Sequence, residues 1–180
     1  MWTTRYVMRE PKLVVDEIEH YINRYEVQNI DFTDLTAFTK KSWILEFCNE
    51  IRSRSLDVVW QLPSGTRVEQ MDEECVIAMA ASGCMNITLA PESGSERVLK
   101  EIKKRVKLSQ VYQTIRYAKQ QGMFVKCNLI IGFPTERRRD MWKTLWTAVR
   151  FAFMGVEDIP TYYFNAYPGT ELFDSLVKEK

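Results

Sequence analysis

The sequence holds little of what marks an exported, membrane-spanning or nucleic-acid-binding protein. Its 180 residues carry 25 Lys and Arg against 24 Asp and Glu, a net charge of +1. With no charge of one sign in excess, no field draws a polyanion or an anionic membrane, and no nucleic-acid partner is indicated. The apolar runs are of strand length, well short of the roughly 20 residues that span a bilayer. Met1-Trp2-Thr3-Thr4-Arg5-Tyr6 has no apolar core of signal-peptide length, so a cytoplasmic protein is expected. Histidine occurs once, as His20, off the apolar stripe of a helical pattern, where a solvated surface residue is expected. Cysteine occurs four times, at 48, 75, 84 and 127, with no pair at zinc or redox spacing. Cys48 and Cys75 fall on helical stripes and read as small buried hydrophobes.

What is present suits one globular domain over residues 1–180. Hydrophobic residues make up 46% and charged residues 27%, enough for a sizeable core. No low-complexity linker or shift in composition divides the chain.

The pattern of elements is regular. A helix fits Leu13 to Tyr25, with Pro11 near its start, and Gln28 to Asp34 alternates as a strand. A second helix buries Trp43, Ile44, Phe47, Cys48 and Ile51. Val58 to Leu62 is a strand closed by Pro63-Ser64-Gly65. Asp72 caps a helix that Gly83 stops, and Asn86 to Ala90 is a third strand ending in Pro91-Glu92-Ser93-Gly94-Ser95. A short helix (Glu96 to Lys104) and a longer one (Ser109 to Gln121) precede the strand Lys126 to Ile131. A helix from Asp140 to Met154 then aligns Met141, Leu145, Val149 and Phe153. Tyr162 to Ala166 is a fifth strand, and a last helix runs through Leu172, Phe173 and Leu176. Five β-then-α units recur about 30 to 40 residues apart, behind a lone helix. The fold class is α/β, a parallel partial barrel with five βα units and its first strand absent.

Every strand ends in polar or turn-forming residues: Thr33 and Asp34, Ser64, Glu92, Gly132-Phe133-Pro134, and Asn165 with Tyr167. In a parallel sheet these ends share one rim, where α/β folds take ligands. Within Lys126-Cys127-Asn128-Leu129-Ile130-Ile131, alternation puts Lys126, Asn128 and Ile130 on one face. A buried face with Lys and Asn needs a polar neighbour or ligand. A carboxylate such as Asp34 suits an ammonium, Glu92 a hydroxyl, and Ile130 with Phe133 a flat ring. Singly, each has a structural reading: Asp34 before Leu35-Thr36 caps the next helix, and Glu92 precedes a helix N-terminus. The cluster Lys100, Lys103, Lys104, Arg105 and Lys107 suits a helix C-terminal dipole, whereas Arg137-Arg138-Arg139 sits at an N-terminus, where cations are unfavourable.

In order along the chain, Asp16-Glu17-Ile18, Ile30-Asp31-Phe32-Thr33-Asp34, Ser82-Gly83-Cys84, Pro91-Glu92-Ser93-Gly94-Ser95, Ile130-Ile131-Gly132-Phe133-Pro134 with Glu136, and Ala166-Tyr167-Pro168-Gly169-Thr170 resemble the core of a radical S-adenosylmethionine (SAM) enzyme. The nearest subgroup often carries an N-terminal cobalamin-binding domain. The resemblance implies a (β/α)6 part-barrel that holds SAM against a [4Fe-4S] cluster. It implies reductive formation of a 5′-deoxyadenosyl radical for hydrogen abstraction or methyl transfer. An electron donor such as flavodoxin or ferredoxin, an unidentified substrate, and cobalamin in a longer parent protein come with it. By analogy Thr33 and Asp34 lie near the methionine amino group, Glu92 faces the ribose, and Ile130 and Gly132 pack the adenine. Ser64, Asn128 and Phe133 complete the expected cofactor-binding set.

Two departures stand out. The family's Cys-x3-Cys-x2-Cys motif is absent, and Met1-Trp2-Thr3-Thr4-Arg5 resembles the segment that lies just beyond that motif. The cluster ligands are thus expected upstream, and the 180 residues alone are expected to be inactive. Pro134-Thr135-Glu136-Arg137 replaces the family's Pro-Gly-Glu-Thr, which exchanges a type II turn for type I and bears on the reach of Glu136. Asn128 stands where relatives often have Gly and narrows the adenine side. Two other readings compete: a non-catalytic barrel that binds a nucleoside or a partner protein, and an unrelated β/α-barrel enzyme with Lys126 as its Schiff-base candidate.

Overall fold

A computed structural model of the chain describes residues 7–34 and 38–178. Met1 to Tyr6, and the Leu35-Thr36 start of a helix that Asp34 would cap, lie outside the described residues. Helix α1 (Pro11–Tyr25) begins with proline, whose missing N–H is no loss in a first turn, and buries Pro11, Val15 and Ile18. It ends where Glu26 turns left-handed and donates its N–H to Ile22 O at 2.9 Å. Strand β1 (Asn29–Asp31) follows, then α2 (Lys41–Ser53), β2 (Val59–Thr66) and α3 (Glu73–Ala81). Asp72 caps α3 by accepting from the Cys75 N–H at 3.1 Å. The chain continues through β3 (Cys84–Glu92), α4 (Glu96–Glu101), α5 (Leu108–Gln120), β4 (Phe124–Ile131), α6 (Arg138–Phe153), β5 (Thr161–Tyr163) and α7 (Glu171–Lys178).

The five strands pair in chain order, and every pair is parallel. The sheet is a curled half-barrel. Alternation sorts its two faces. Trp60 and Leu62, Ile87 and Leu89, and Val125, Cys127 and Leu129 join Ile44, Phe47, Val76, Met79, Val111 and Ile115 of the helices in one core. Near its start the core is aromatic: the rings of Phe38, Phe47 and Trp60 surround Phe32 at centroid distances of 5.5 to 5.8 Å. The buried Trp60 N–H donates to Ser82 O at 2.9 Å. On the opposite face stand Gln61, Asn86, Thr88, Lys126, Asn128 and Ile130, a mostly polar lining.

Several elements differ from the sequence reading: β1 ends at Asp31 rather than Asp34, β3 runs from Cys84 through Pro91 to Glu92 rather than from Asn86 to Ala90, and α4 ends at Glu101 rather than Lys104. Strand β2 does not stop at Leu62 but crosses Pro63-Ser64-Gly65 to Thr66, through a register shift between Leu62 and Thr66. That bulge accommodates a proline that cannot donate to the ladder. Strand β5 is shorter and earlier than Tyr162 to Ala166. In α6 the buried residues are Asp140, Thr144, Thr147 and Phe151, while Leu145, Val149 and Phe153 are 39%, 43% and 89% exposed. Polar partners on the loop after β3 set that helix's rotation, overriding its apolar stripe. All four cysteines are buried and free, and His20 is exposed.

Gly83 has φ +95°, and a Cβ there would overlap the Val58 carbonyl oxygen; Gly122 has φ +73° with open space around it. Gly83→Ala should therefore lose roughly 3 kcal/mol of stability, from overpacking plus the left-handed penalty, and Gly122→Ala about 1 kcal/mol from the backbone alone. Urea unfolding measures both, and equal midpoints would contradict the close approach.

Candidate functional site

Parallel pairing puts the C-terminal ends of β1 to β5 on one edge, and the eight residues expected to bind a cofactor all lie on or near it. Glu92 closes β3, and Asn128 and Ile130 sit near the end of β4 with Gly132 and Phe133 just beyond. Thr33 and Asp34 follow β1, both exposed, and the Ser64 hydroxyl donates to Thr33 O at 3.1 Å, tying the first two strand ends together.

Two clefts open at this edge. One, of about 570 Å³, has Ser64, Thr66, Arg67, Glu92, Lys104 and Arg105 among its walls. The other, of about 540 Å³, lies between the Phe133-Pro134 turn and the segment Phe164 to Tyr167. Lys103 borders both. Thr33, Asp34, Asn128, Ile130 and Gly132 line neither cleft, so the expected residues share an edge without closing into one hollow. A larger groove of about 760 Å³ between α2 and α3 belongs to the outer helical layer, away from the strand ends.

Glu92 takes a left-handed φ of 69°, which a residue with a Cβ adopts at a cost, and strain of this kind collects at ligand sites. Its carboxylate accepts from Lys104 Nζ at 2.9 Å. Sequence reasoning assigns Lys104 to a helix dipole; twelve residues of separation and an intervening helix offer no local signal for this pair. Gly132 has φ +87° and nothing within 4 Å of where a Cβ would stand. Its N–H donates to Glu136 Oε2 at 2.5 Å, and the Glu136 N–H closes a turn on Phe133 O at 2.8 Å. Thr135 is not left-handed, as a type I turn requires, so Glu136 still reaches back to the strand end. The Phe133 ring is 8% exposed and packs on Phe164 at 5.0 Å, which leaves Ile130 and Gly132 as the open apolar patch.

Polar atoms without partners mark the inner face. Among the described residues, the buried Asn86 Oδ1, Thr88 Oγ1, Asn128 Oδ1, beside the first cleft Thr66 Oγ1, and on the loop after β4 Glu136 Oε1 have no hydrogen bond. Asn128 thus does not bond a neighbouring side chain through that oxygen. Lys126 pairs with Asp158 at 2.9 Å, and Gln61 donates to Asp31 Oδ1 at 2.6 Å. The hydrogen bond to Asp158 raises the Lys126 pKa, which keeps it an ammonium and unfits it for Schiff-base chemistry.

Behind the rim lies a network the sequence does not reveal. Asp140 accepts from Ser95 Oγ at 2.7 Å, from Arg97 Nη2 at 2.5 Å and from the Arg137 N–H at 3.2 Å. Arg97 and Ser95 hold the Asp140 carboxyl well below the usual carboxylate range. An acid three residues into a helix is a recognisable capping signal, but its long-range partners are not.

These features define a parallel β/α half-barrel with two clefts at its strand-end rim. Residues 2–146 match the family model of the Radical SAM superfamily, and the chain belongs to that superfamily. It is 28% identical over 161 residues to an uncharacterized methyltransferase of Pyrococcus horikoshii, covering 89% of this chain and 34% of that protein. It is 34% identical over 134 residues to the cytidylyl-2-hydroxyethylphosphonate methyltransferase of Streptomyces wedmorensis, covering 74% of this chain and 25% of that one. The chain thus spans about a third or less of the length of these relatives. In fold it is similar to TsrM of Kitasatospora setae, a radical SAM methyltransferase solved with cobalamin and a [4Fe-4S] cluster. The TM-score is 0.77 at 16% identity, covering 98% of this chain and 35% of that one.

The residues present do not fit an iron–sulfur cluster. Burial raises the thiol pKa to about 11 at Cys48, about 12 at Cys75 and Cys127, and well above the ordinary 9.0 at Cys84. Among the described residues no three His, Cys, Asp or Glu side chains gather as a metal site. No helix among them is long and apolar enough to cross a membrane. The rim itself offers an unobstructed glycine at Gly132 and a carboxylate at Glu92.

The four thiols should react with Ellman's reagent only on unfolding, and a fast thiol in the native protein would contradict their burial. Because the folded Lys126 pKa is raised, the Lys126–Asp158 pair stabilises fully below the ordinary 10.5 and fades as pH rises through the higher folded value. NMR of 13C-dimethylated lysines should show this ammonium titrating lower in Asp158→Asn; an unmoved titration would contradict the pairing.

Proposed function

We propose that the chain is the SAM-holding part of a radical SAM enzyme whose cluster cysteines are other than the four seen here. The observation that carries the reading is the juxtaposition, in a chain of this superfamily, of Glu92 at the end of β3 and the unobstructed Gly132 at the end of β4. On a parallel sheet these strand ends are neighbours, and they offer a carboxylate for a ribose diol beside a glycine with no side chain in the way of a base. When bound beside a reduced cluster, SAM supplies a carbon radical for hydrogen abstraction or a methyl group for transfer.

The chain's own residues bind and orient. Glu92 accepts from ribose hydroxyls, with Lys104 holding the carboxylate in place when the site is empty. Ile130 lies against the base, Gly132 leaves room for it, and Asn128 Oδ1 accepts from an exocyclic amine. The Phe133–Phe164 pair backs this patch and keeps water from its far side. Thr33 and Asp34 present acceptors for the methionine ammonium, with Ser64 fixing the Thr33 carbonyl. The 180 residues alone would neither assemble the cluster nor cleave SAM. A reductant of the flavodoxin or ferredoxin kind belongs to the same reading. Cobalamin enters only by likeness to TsrM, and the substrate is set elsewhere in the parent protein.

Calorimetry with S-adenosylhomocysteine on the cluster-loaded parent protein tests this. Glu92→Ala should weaken binding by about tenfold or more, the scale of a lost charge-assisted hydrogen bond pair. Equal affinity in the two proteins would contradict the assigned site.

A further inference from the structure

The two loops that carry Glu92 and Gly132 are fastened to each other by one buried carboxylate. Asp140, 2% exposed at the start of α6, accepts from Ser95 Oγ at 2.7 Å on the loop after β3. It also accepts from the Arg137 N–H at 3.2 Å on the loop after β4. Arg97, the second residue of α4, completes the bridge. Its Nε and Nη2 reach Asp140 Oδ2 at 3.2 and 2.5 Å, and the same Nη2 donates to Thr135 O at 2.9 Å. Glu101 closes a second link between the loops, accepting from Arg97 Nη1 and from Thr135 Oγ1.

The seat beneath this bridge is also specific. One turn along α6, Thr144 Oγ1 accepts from the Gly94 N–H and meets Ser93 Oγ, both at 3.1 Å. The loop presses so closely on α6 that a Cβ at Gly94 would overlap Thr147 Oγ1 and the Lys143 carbonyl. Ser93, Ser95 and Thr144 are each fully buried. A loop held this way on one side and tied to its neighbour on the other cannot shift alone. Such a buried and satisfied network fixes geometry where loose loops would not.

We propose that Asp140 and Arg97 are positioning residues that set the spacing between Glu92 and Gly132, and hence the affinity for the adenosine moiety. The inference rests on the SAM reading above for its ligand, though not for the fastening itself. Neither residue lines either cleft at the rim, so any effect on a ligand passes through the two loops.

The test has two arms. Amide hydrogen exchange on the 180-residue chain reads the fastening with no ligand. Asp140→Asn, which gives up the charge, and Arg97→Lys, which gives up the fork and the Thr135 bond, should each speed exchange in peptides 91–99 and 131–138 together. Peptide 59–62, in β2 and paired with the opposite end of β3, should stay as slow as before. Faster exchange in one loop only, or in neither, overturns the fastening. S-adenosylhomocysteine affinity of the cluster-loaded parent protein reads the consequence, with about a tenfold loss expected in either variant, a typical effect of a displaced supporting residue. Gly122→Ala, destabilised at a distant turn, should leave both readouts unmoved, which separates positioning from general loss of stability. If Asp140→Asn does not fold, Arg97→Lys, at a half-exposed site, carries both arms. A wild-type protein that ignores the ligand would overturn the SAM reading while the exchange arm still decides the fastening. A wild-type protein that binds, with variants within twofold of it, would overturn the positioning role.

Discussion

Parallel pairing in strict chain order is the constraint on which the rest of the molecule depends. Parallel strands cannot be joined by tight hairpins, so each return passes over the helical layer and each strand starts again at the same edge. The opposite edge then collects every strand end, whatever the residues there do. Thr33, Ser64, Glu92 and Gly132 are far apart in sequence and meet for that reason alone. The helices cover the outer face with apolar contacts, which frees the inner face to carry Gln61, Asn86, Thr88, Lys126 and Asn128. A face lined with amides, a hydroxyl and a neutralised ion pair is a poor core and a good wall for a polar ligand.

The rim holds backbone in states that need support. Glu92 is left-handed without being glycine, and Gly132 is left-handed with empty space about it. The support comes from behind: Lys104 on the Glu92 carboxylate, Glu136 on the Gly132 N–H, and Asp140 between the two loops. The strain at Glu92 is thus matched by polar partners behind the edge, of which Asp140 is buried and fully bonded. The same arrangement explains why α6 turns its threonines and aspartate inward and leaves Val149 and Phe153 toward solvent. Seating the loop after β3 takes precedence over burying the helix's apolar stripe.

Much of this is legible in the sequence, and the reason is period. Strand alternation at Lys126 to Ile131 and helical spacing at Ile44 to Ile51 are short-range signals, and the structure carries both. Capping by Asp72 and the stop at Gly83 are legible for the same reason. What sequence does not show is long-range and polar. Strand β2 outlasts Pro63 because a bulge forms against a partner strand. Lys104 reaches Glu92 around a helix. Asp140 meets Ser95 and Arg97 across some forty residues of chain, and no periodicity encodes that meeting. The rotation of α6 escapes the apolar pattern on the same account, since spacing weighs apolar residues and not buried hydroxyl partners. The expectation of a parallel sheet puts the strand-end residues along one edge, as the pairing of the five strands does. It leaves unsaid that they divide between an open patch and two clefts.

The central claim is that the ends of β3 and β4 form one nucleoside-binding edge. Photoaffinity labelling of the cluster-loaded parent protein with 8-azido-S-adenosylmethionine, with tryptic mapping of the product, asks this most directly. The account predicts a label competed by SAM and confined to peptide 127–137, which carries Ile130 and Gly132. A competed label on the outer groove between α2 and α3, with peptide 127–137 unmarked, would contradict it.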